Sequence, residues 1–327
     1  MMRSFIRTLT LGAFVALILP ATTPASAQAA KWPQKPVRLF VHAVPGGAAD
    51  ATGRLLQVHM SKILGQPILI ENKPGGNGMV ASGEVARAAP DGYTFTFIDS
   101  AHASNAALRK SLPYDSIKDF TPIAFVWRAA LAYAVLSDSP IKSLADLVDR
   151  ARKQPGRIAI ATRGPGSASD LASIQLELAA GIDLNLIEYK GAAPALTDVL
   201  GGHVPVLASN VALIVERMAS GTMRGLAVTT PERSGLVPSV PTVAELGYPG
   251  YQASEWLGIV GPANLPKDIV ARMSQAIKAT LEDPEVATKM EAFGHVTIQS
   301  PEDFGKFIKT EIDKMALIIK KSNIKVE

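Results

Sequence analysis

The sequence predicts an α/β fold built as two lobes. Three observations carry this: short β-rich runs alternate with amphipathic helical runs, two such series follow one another, and the last third reads as helices without strands. The first series spans Lys35 to Asp99. Val37 to Ala43 is a strand, Gly46-Gly47 a turn, and Ala48 to Leu64 a helix with Leu55, Leu56, Met60 and Ile63 on one face. Gly65-Gln66-Pro67 ends that helix. Ile68 to Ile70 is the next strand, residues 72–78 form a long turn, Met79 to Ala88 is a helix, and Pro90-Asp91-Gly92 turns tightly into the strand Tyr93 to Ile98.

The second series has strands at Ala130 to Leu136, Arg157 to Ala161, Asn185 to Tyr189, Val204 to Leu207 and Arg224 to Thr229. Between them lie helices from Ser143 to Arg152, from Ser167 or Ser169 to Ala180, from Ala193 to Leu200, and from Val211 to Ala219. Alternation of this kind implies largely parallel sheets. The closing helices, Pro266 to Leu281, Pro284 to Phe293 and Pro301 to Lys321, each have proline at or near the start and must pack on an existing lobe. The chain therefore leaves the first lobe near Val126 to Ala130 and returns near Gln252 to Gly261.

Composition bounds the function. Of 327 residues, 47% are hydrophobic and 19% charged, which excludes a disordered, fibrous or coiled-coil chain. The first residues read as an export signal: Arg3 and Arg7, the apolar run Leu9 to Leu19, and Ala25-Ser26-Ala27 before a cut. Eleven apolar residues fall short of the roughly 20 that span a bilayer. Removing Arg3 and Arg7 from the 33 basic residues leaves 31 against 29 acidic, too even for a nucleic-acid binder. Cysteine is absent, so the exported fold has neither disulfides nor thiolate zinc, which suits a bacterial periplasm.

A search for catalytic chemistry finds none that convinces. The five histidines, at 42, 59, 102, 203 and 295, never reach the spacing that sets two ligands on one helix face. Gly164-Pro165-Gly166-Ser167 is not a nucleophile elbow, and no phosphate loop or complete dinucleotide turn is present. No cofactor or metal is implied. What recurs is a strand running through a small-residue loop into a helix: Val44-Pro45-Gly46-Gly47-Ala48-Ala49-Asp50, Thr162-Arg163-Gly164-Pro165-Gly166-Ser167-Ala168-Ser169, and Tyr189-Lys190-Gly191-Ala192-Ala193-Pro194. Small side chains admit a ligand to the backbone, and the free N–H groups of a first helical turn bind anions, carboxylates above all.

These blocks, with Glu71-Asn72-Lys73-Pro74-Gly75-Gly76-Asn77-Gly78, Pro90-Asp91-Gly92-Tyr93-Thr94, Leu200-Gly201-Gly202-His203 and Pro241-Thr242-Val243-Ala244-Glu245, resemble the Bug family of periplasmic solute receptors of tripartite tricarboxylate transporters. The likeness runs through nearly the whole mature chain. It implies a two-lobed periplasmic binding protein fold of type II, with a ligand cleft between lobes joined by two crossover strands. The resemblance divides the chain into a signal peptide at 1–27, a first lobe at 31–128 and 253–327, and a second lobe at 129–252. It also implies a non-catalytic, monomeric receptor that takes a di- or tricarboxylate or an aromatic acid to the transporter's membrane subunits. An orphan receptor feeding a sensor kinase is the alternative, and a periplasmic enzyme acting on such acids a remoter one.

In the family two loops act as pincers, here Val44 to Asp50 and Tyr189 to Pro194, holding a carboxylate by backbone N–H groups and water. This chain departs from the pattern in several places. His42-Ala43-Val44-Pro45 lacks the aromatic residue usual before the glycines. Beside Ser100, His102 is either a ligand for a distal carboxylate or a satisfied histidine at a strand end. Arg163 is either a second-carboxylate clamp or a solvated loop arginine. Asn210 either reaches the ligand or caps a helix, and Trp256 stands at the return crossover as hinge and cleft wall.

Overall fold

The computed structural model describes residues 32–321, so the export signal at residues 1–27 lies outside the described residues. The chain opens with β1 (Val37–Val41), α1 (Ala48–Leu64), β2 (Ile68–Asn72), α2 (Met79–Ala86), β3 (Thr94–Asp99) and α3 (Ser100–Leu108). It crosses over through β4 (Phe120–Ala129) and builds β5 (Leu131–Leu136), α4 (Leu144–Lys153), β6 (Ala159–Thr162), α5 (Ala168–Ala180) and β7 (Asn185–Glu188). Then come α6 (Ala192–Leu200), β8 (Val206–Asn210), α7 (Val211–Ala219) and β9 (Met223–Val228). The return strand β10 (Glu255–Pro262) leads into α8 (Lys267–Leu281), α9 (Pro284–Met290), β11 (His295–Val296) and α10 (Pro301–Lys321).

Two sheets result, ordered β11-β4-β10-β3-β1-β2 and β7-β6-β8-β5-β9. They are mixed rather than largely parallel. Only β1 with β2 and β3, and β6 with β7 and β8, run parallel; β10 is antiparallel to both β3 and β4, and β5 to both β8 and β9. A chain that leaves one lobe and later returns enters the sheet from the other end, which reverses its direction. Periodicity along the sequence says nothing of that reversal.

The alternation of each strand decides which helices cover it. In the first sheet Val37, Leu39 and Val41 face α1 and α8, against Leu56, Met60, Met273 and Ile277, while Phe40 faces α2 and α10 with Val85, Phe304 and Ile308. In the second, Leu131, Tyr133 and Val135 face α4 and α5, and Ala132 and Ala134 face α6 and α7. A further apolar group, Ala103 of α3, Leu171 and Ile174 of α5, and Met315 and Ile318 of α10, ties the two lobes together. Helix α3 was not expected, because Ser100-Ala101-His102-Ala103-Ser104-Asn105 shows no apolar stripe. Burial of these small residues and an Asp99 side chain that accepts from the Ala101 N–H at 2.9 Å hold it instead.

Every residue of β10 is buried, as befits a strand with a partner on each side. Trp256 is fully buried with Phe125, Phe304 and Phe307 at ring-centroid distances of 6.4, 6.2 and 5.3 Å. It packs the first lobe and is no cleft wall. Gly258 gives this group its room, since a Cβ there would lie 2.1 Å from Phe304 Cζ. Gly258→Ala is expected to destabilise the fold by about 1–3 kcal/mol through overpacking. Urea titration checks this, and Phe304→Leu in the same chain should recover part of the loss.

Candidate functional site

Several strand ends converge where the chain passes between the lobes, and the residues at those ends are polar. The β1 end carries His42, whose Nε2 lies 3.1 Å from Oδ2 of Asp99 at the end of β3. The β6 end carries Arg163, whose Nη1 donates at 2.6 Å to Oε1 of Glu255, the first residue of β10. The β8 end is Asn210, whose Nδ2 donates at 3.3 Å to both Glu255 Oε2 and the Phe293 carbonyl. Burial opposes the charge on His42, but Asp99 outweighs it and raises the imidazole above its ordinary value. Burial likewise opposes ionisation of Asp99, yet His42 and Arg163 together hold it below the usual carboxylate range. The charges sustain one another.

The first expected loop, Val44 to Asp50, is held from beneath by Asp50. Its Oδ2 accepts from the Gly46 N–H at 2.9 Å and from Arg54 Nε at 3.0 Å, and its Oδ1 accepts from Asn72 Nδ2 at 2.9 Å. The Arg54 bond leads the effects that bring this carboxyl down to about 2. Gly46 adopts φ 86, a region where glycine is at ease. Val44 at the tip is 62% exposed, Pro45 and Ala48 are exposed, and Ala49 is buried. Helix α1 starts at Gly47 with no side-chain cap.

The third loop is similar. Helix α6 starts at Gly191, φ 121, again without a side-chain cap, and a Cβ there would meet open space. Tyr189 donates from its hydroxyl to Asp198, which with burial pushes its phenol up to about 12; Lys190 is exposed and Ala192 half-buried. The uncapped first turns of α1 and α6 leave N–H groups for an outside acceptor.

The second loop differs. Helix α5 is capped from within, Ser167 Oγ accepting the Asp170 N–H at 3.3 Å, and Asp170 accepts the Gly166 N–H at 2.9 Å. A Cβ at Gly164 would lie 3.1 Å from the Tyr189 carbonyl oxygen, and Ala168 is buried. An anion approaching this helix end meets the Ser167 cap and an acid without a cation, whereas the matching acid of α1, Asp50, is paired with Arg54. Residues 164–167 with Tyr189 and Lys190 form one wall of a cavity of about 790 Å³, and Gly76, Asn77, Asn105 and Arg109 form the other. The Val44 to Asp50 loop lies outside that lining. Two bonds bridge the walls: Ser104 Oγ donates to the Gly166 carbonyl at 3.0 Å, and Asn77 Nδ2 to the Pro165 carbonyl at 3.4 Å.

The remaining expectations resolve individually. His102 does not point to the gap between the lobes: it is 3% exposed, stacks on Tyr114 at 5.9 Å, and places Nε2 2.9 Å from the Ser116 carbonyl. Burial lowers its pKa and favours a neutral ring. Of the two alternatives it is the buried histidine rather than the ligand, with Nε2 held and Nδ1 without a hydrogen-bond partner. Ser100 is buried, its hydroxyl on the Ser254 carbonyl at 3.4 Å. Arg163 is neither solvated nor free, because Glu255 holds it. Asn210 caps α7 through the Ala212 N–H at 2.9 Å and also reaches Glu255.

Residues 52–324 match the family model described as the tripartite tricarboxylate transporter family receptor, TctC. The chain belongs to that family. It is 31% identical over 320 residues to protein BugT of Bordetella pertussis, covering 97% of each chain. An R. palustris protein solved with adipate is 30% identical, with a TM-score of 0.81 over 90% of this chain and 99% of that one. MatC of Rhodopseudomonas palustris, solved with bound malate, is 29% identical, with a TM-score of 0.77 over 88% and 99%. The protein is thus a two-lobed solute-binding receptor and not an enzyme.

Sequence reasoning passed over His42, Asp99, Asn77, Asn105 and Asp170. One signal for Asp170 was present: Pro45-Gly46-Gly47-Ala48-Ala49-Asp50 and Pro165-Gly166-Ser167-Ala168-Ser169-Asp170 share proline, glycine, alanine and aspartate at the same spacing. The geometry also separates two histidines. In an NMR titration His42 is expected to titrate above about 6.5 and His102 below it. Because the folded value of His42 is raised, its stabilisation is complete below the unfolded value and fades as pH rises through the folded one. Asp99→Asn should bring His42 down.

Proposed function

We propose that the protein is a periplasmic receptor that captures a small organic carboxylate between its lobes and delivers it to the membrane subunits of a tripartite tricarboxylate-type transporter. One observation carries the reading: α1 and α6 both begin at glycines without side-chain caps. Each offers unpaired N–H groups reinforced by the positive end of the helix dipole. The adipate and malate bound by two relatives near 30% identity support the ligand class.

Val44 to Asp50 and Tyr189 to Ala192 are the gripping loops in this reading, with Gly164 and Ser167 beside them. The lobes divide at about residues 129 and 253, where β4 passes into β5 and β10 returns, so rotation there opens and closes the grip. Export through residues 1–27 places the mature chain in the periplasm as a monomer. Arg163 serves by setting β6 against the return strand through Glu255 rather than by clamping the ligand.

A thermal-shift screen of the chain from Gln28 onward, against mono-, di- and tricarboxylates, tests the reading. Ligand at a hundredfold excess over its dissociation constant adds about 2.7 kcal/mol and raises the midpoint by several degrees. No shift with any acid would overturn it. Gly47→Val and Gly191→Val are both expected to lose binding; Gly47→Val should keep the wild-type unfolding midpoint without ligand, since its Cβ meets nothing closer than 3.5 Å, whereas the φ of 121 at Gly191 strains any side chain and lowers that midpoint. Arg163→Ala instead leaves Glu255 buried without its cation and is expected to cost about 3–5 kcal/mol of stability, read by urea unfolding.

A further inference from the structure

Asp50 and Asp170 occupy equivalent places in the two lobes. Each is the third residue after a helix cap, each is buried, at 3% and 4% exposure, and each accepts from the N–H of a glycine four residues earlier at 2.9 Å. Their surroundings are opposite. Asp50 has Arg54 and Asn72 on its two oxygens, so its charge is fully met. Asp170 Oδ1 is shut from solvent and has no partner, and the acids in its neighbourhood are Glu188 of β7 and Glu177 of α5.

Neither protonation state settles that oxygen. Ionised, it is a buried carboxylate oxygen without a donor; protonated, it is a buried hydroxyl without an acceptor, and either deficit is costly. Asp170, Glu177 and Glu188 all line the cavity between the lobes, so that wall carries three acids. Of the cations that line the cavity, Arg163 is engaged by Glu255, Lys190 on the same wall is exposed, and Arg109 stands on the facing wall; none of them bonds Asp170 Oδ1. The wall lacks a cation at Asp170, and the open side of the cavity is where one can arrive.

We propose that the Asp170 carboxylate is the counter-charge for a cationic nitrogen on the ligand, which makes the ligand an amino-substituted carboxylate rather than a plain di- or tricarboxylate. This rests on the carboxylate reading, with the acid end at the uncapped helices and the nitrogen at Asp170. The position also links recognition to closure. Asp170 holds the Gly166 N–H, while Ser104 from the other lobe holds the Gly166 carbonyl, so a ligand seated on Asp170 steadies the loop that the first lobe grips. Burial and the nearby glutamates raise this carboxyl to about 7, so an arriving ammonium group displaces a proton from it.

The test is calorimetry on the mature chain with glutarate, glutamate, 5-aminovalerate and lysine, for wild type and Asp170→Asn. Asparagine keeps the shape and an acceptor for Gly166 but removes the charge. At least one amino compound should bind the wild type about tenfold or more tighter than glutarate, and that preference should fall to about unity in Asp170→Asn while glutarate binding persists or improves. Titration in buffers of different ionisation enthalpy should show proton release with the amino compound in wild type and none in the variant. Tighter binding of glutarate than of every amino compound, or a preference that survives Asp170→Asn, assigns Asp170 to loop support alone and overturns the inference. In either case glutarate binding that Gly47→Val abolishes leaves the carboxylate reading intact. Silence toward all four compounds overturns the amino-carboxylate inference, and the wider acid panel then decides the carboxylate reading separately.

Discussion

Glu255 is the first residue of the strand that carries the chain back into the first lobe, and it is 6% exposed. A carboxylate buried there requires a cation, and Arg163 supplies it at 2.6 Å from the end of β6 in the second lobe. Asn210, at the end of β8, meets the other Glu255 oxygen while capping α7. One buried acid therefore gathers two strand ends of one lobe against the crossover of the other. Asp99 and His42 extend the same field into the first lobe, since the Arg163 charge helps keep Asp99 ionised. The loops that follow these strands inherit their positions from this arrangement.

A receptor that closes on an anion needs donors without resident acceptors, and the helix starts divide along that line. Gly47 and Gly191 leave the first turns of α1 and α6 uncapped, whereas Ser167 and Asn210 satisfy α5 and α7 from within. Gly78 likewise starts α2 without a side-chain cap, and Asp99 caps α3, so among these helices the starts without a side-chain cap are those of α1, α2 and α6. Asp170, in the first turn of α5, lines the cavity with Glu177 and Glu188, whereas the glycine starts of α1 and α6 leave backbone N–H groups without a side-chain cap. That juxtaposition suits a ligand with charges of both signs.

Much of the fold was legible in the sequence. The alternation of β-rich and helical runs, glycine after α1, proline before α8 and proline at the start of α9 and α10 located most elements within a few residues. Helix α3 was not legible, because its buried face is made of Ser100, Ala101, Ser104 and Asn105, residues that carry no hydrophobic period. Strand directions were not legible either. The antiparallel pairing of β10 follows from the chain's detour through the second lobe, a property of path rather than of composition. Trp256 looked like a cleft residue by its place in the chain and is a core residue by its packing with Phe125, Phe304 and Phe307.

By itself the sequence determined the α/β class and the three small-residue loops, because backbone propensity, capping and apolar periodicity act over a few residues at a time, and its motif blocks carried the resemblance to the family. Only the tertiary structure decided which charges meet. His42 and Asp99 are 57 positions apart, and Arg163 and Glu255 are 92 apart. The two aspartates make the point most plainly. Asp50 and Asp170 sit in nearly the same hexapeptide with the same loop hydrogen bond, yet one lies near 2 and the other near 7. Desolvation and neighbouring charge set those values, and both depend on what the rest of the fold brings within a few ångströms.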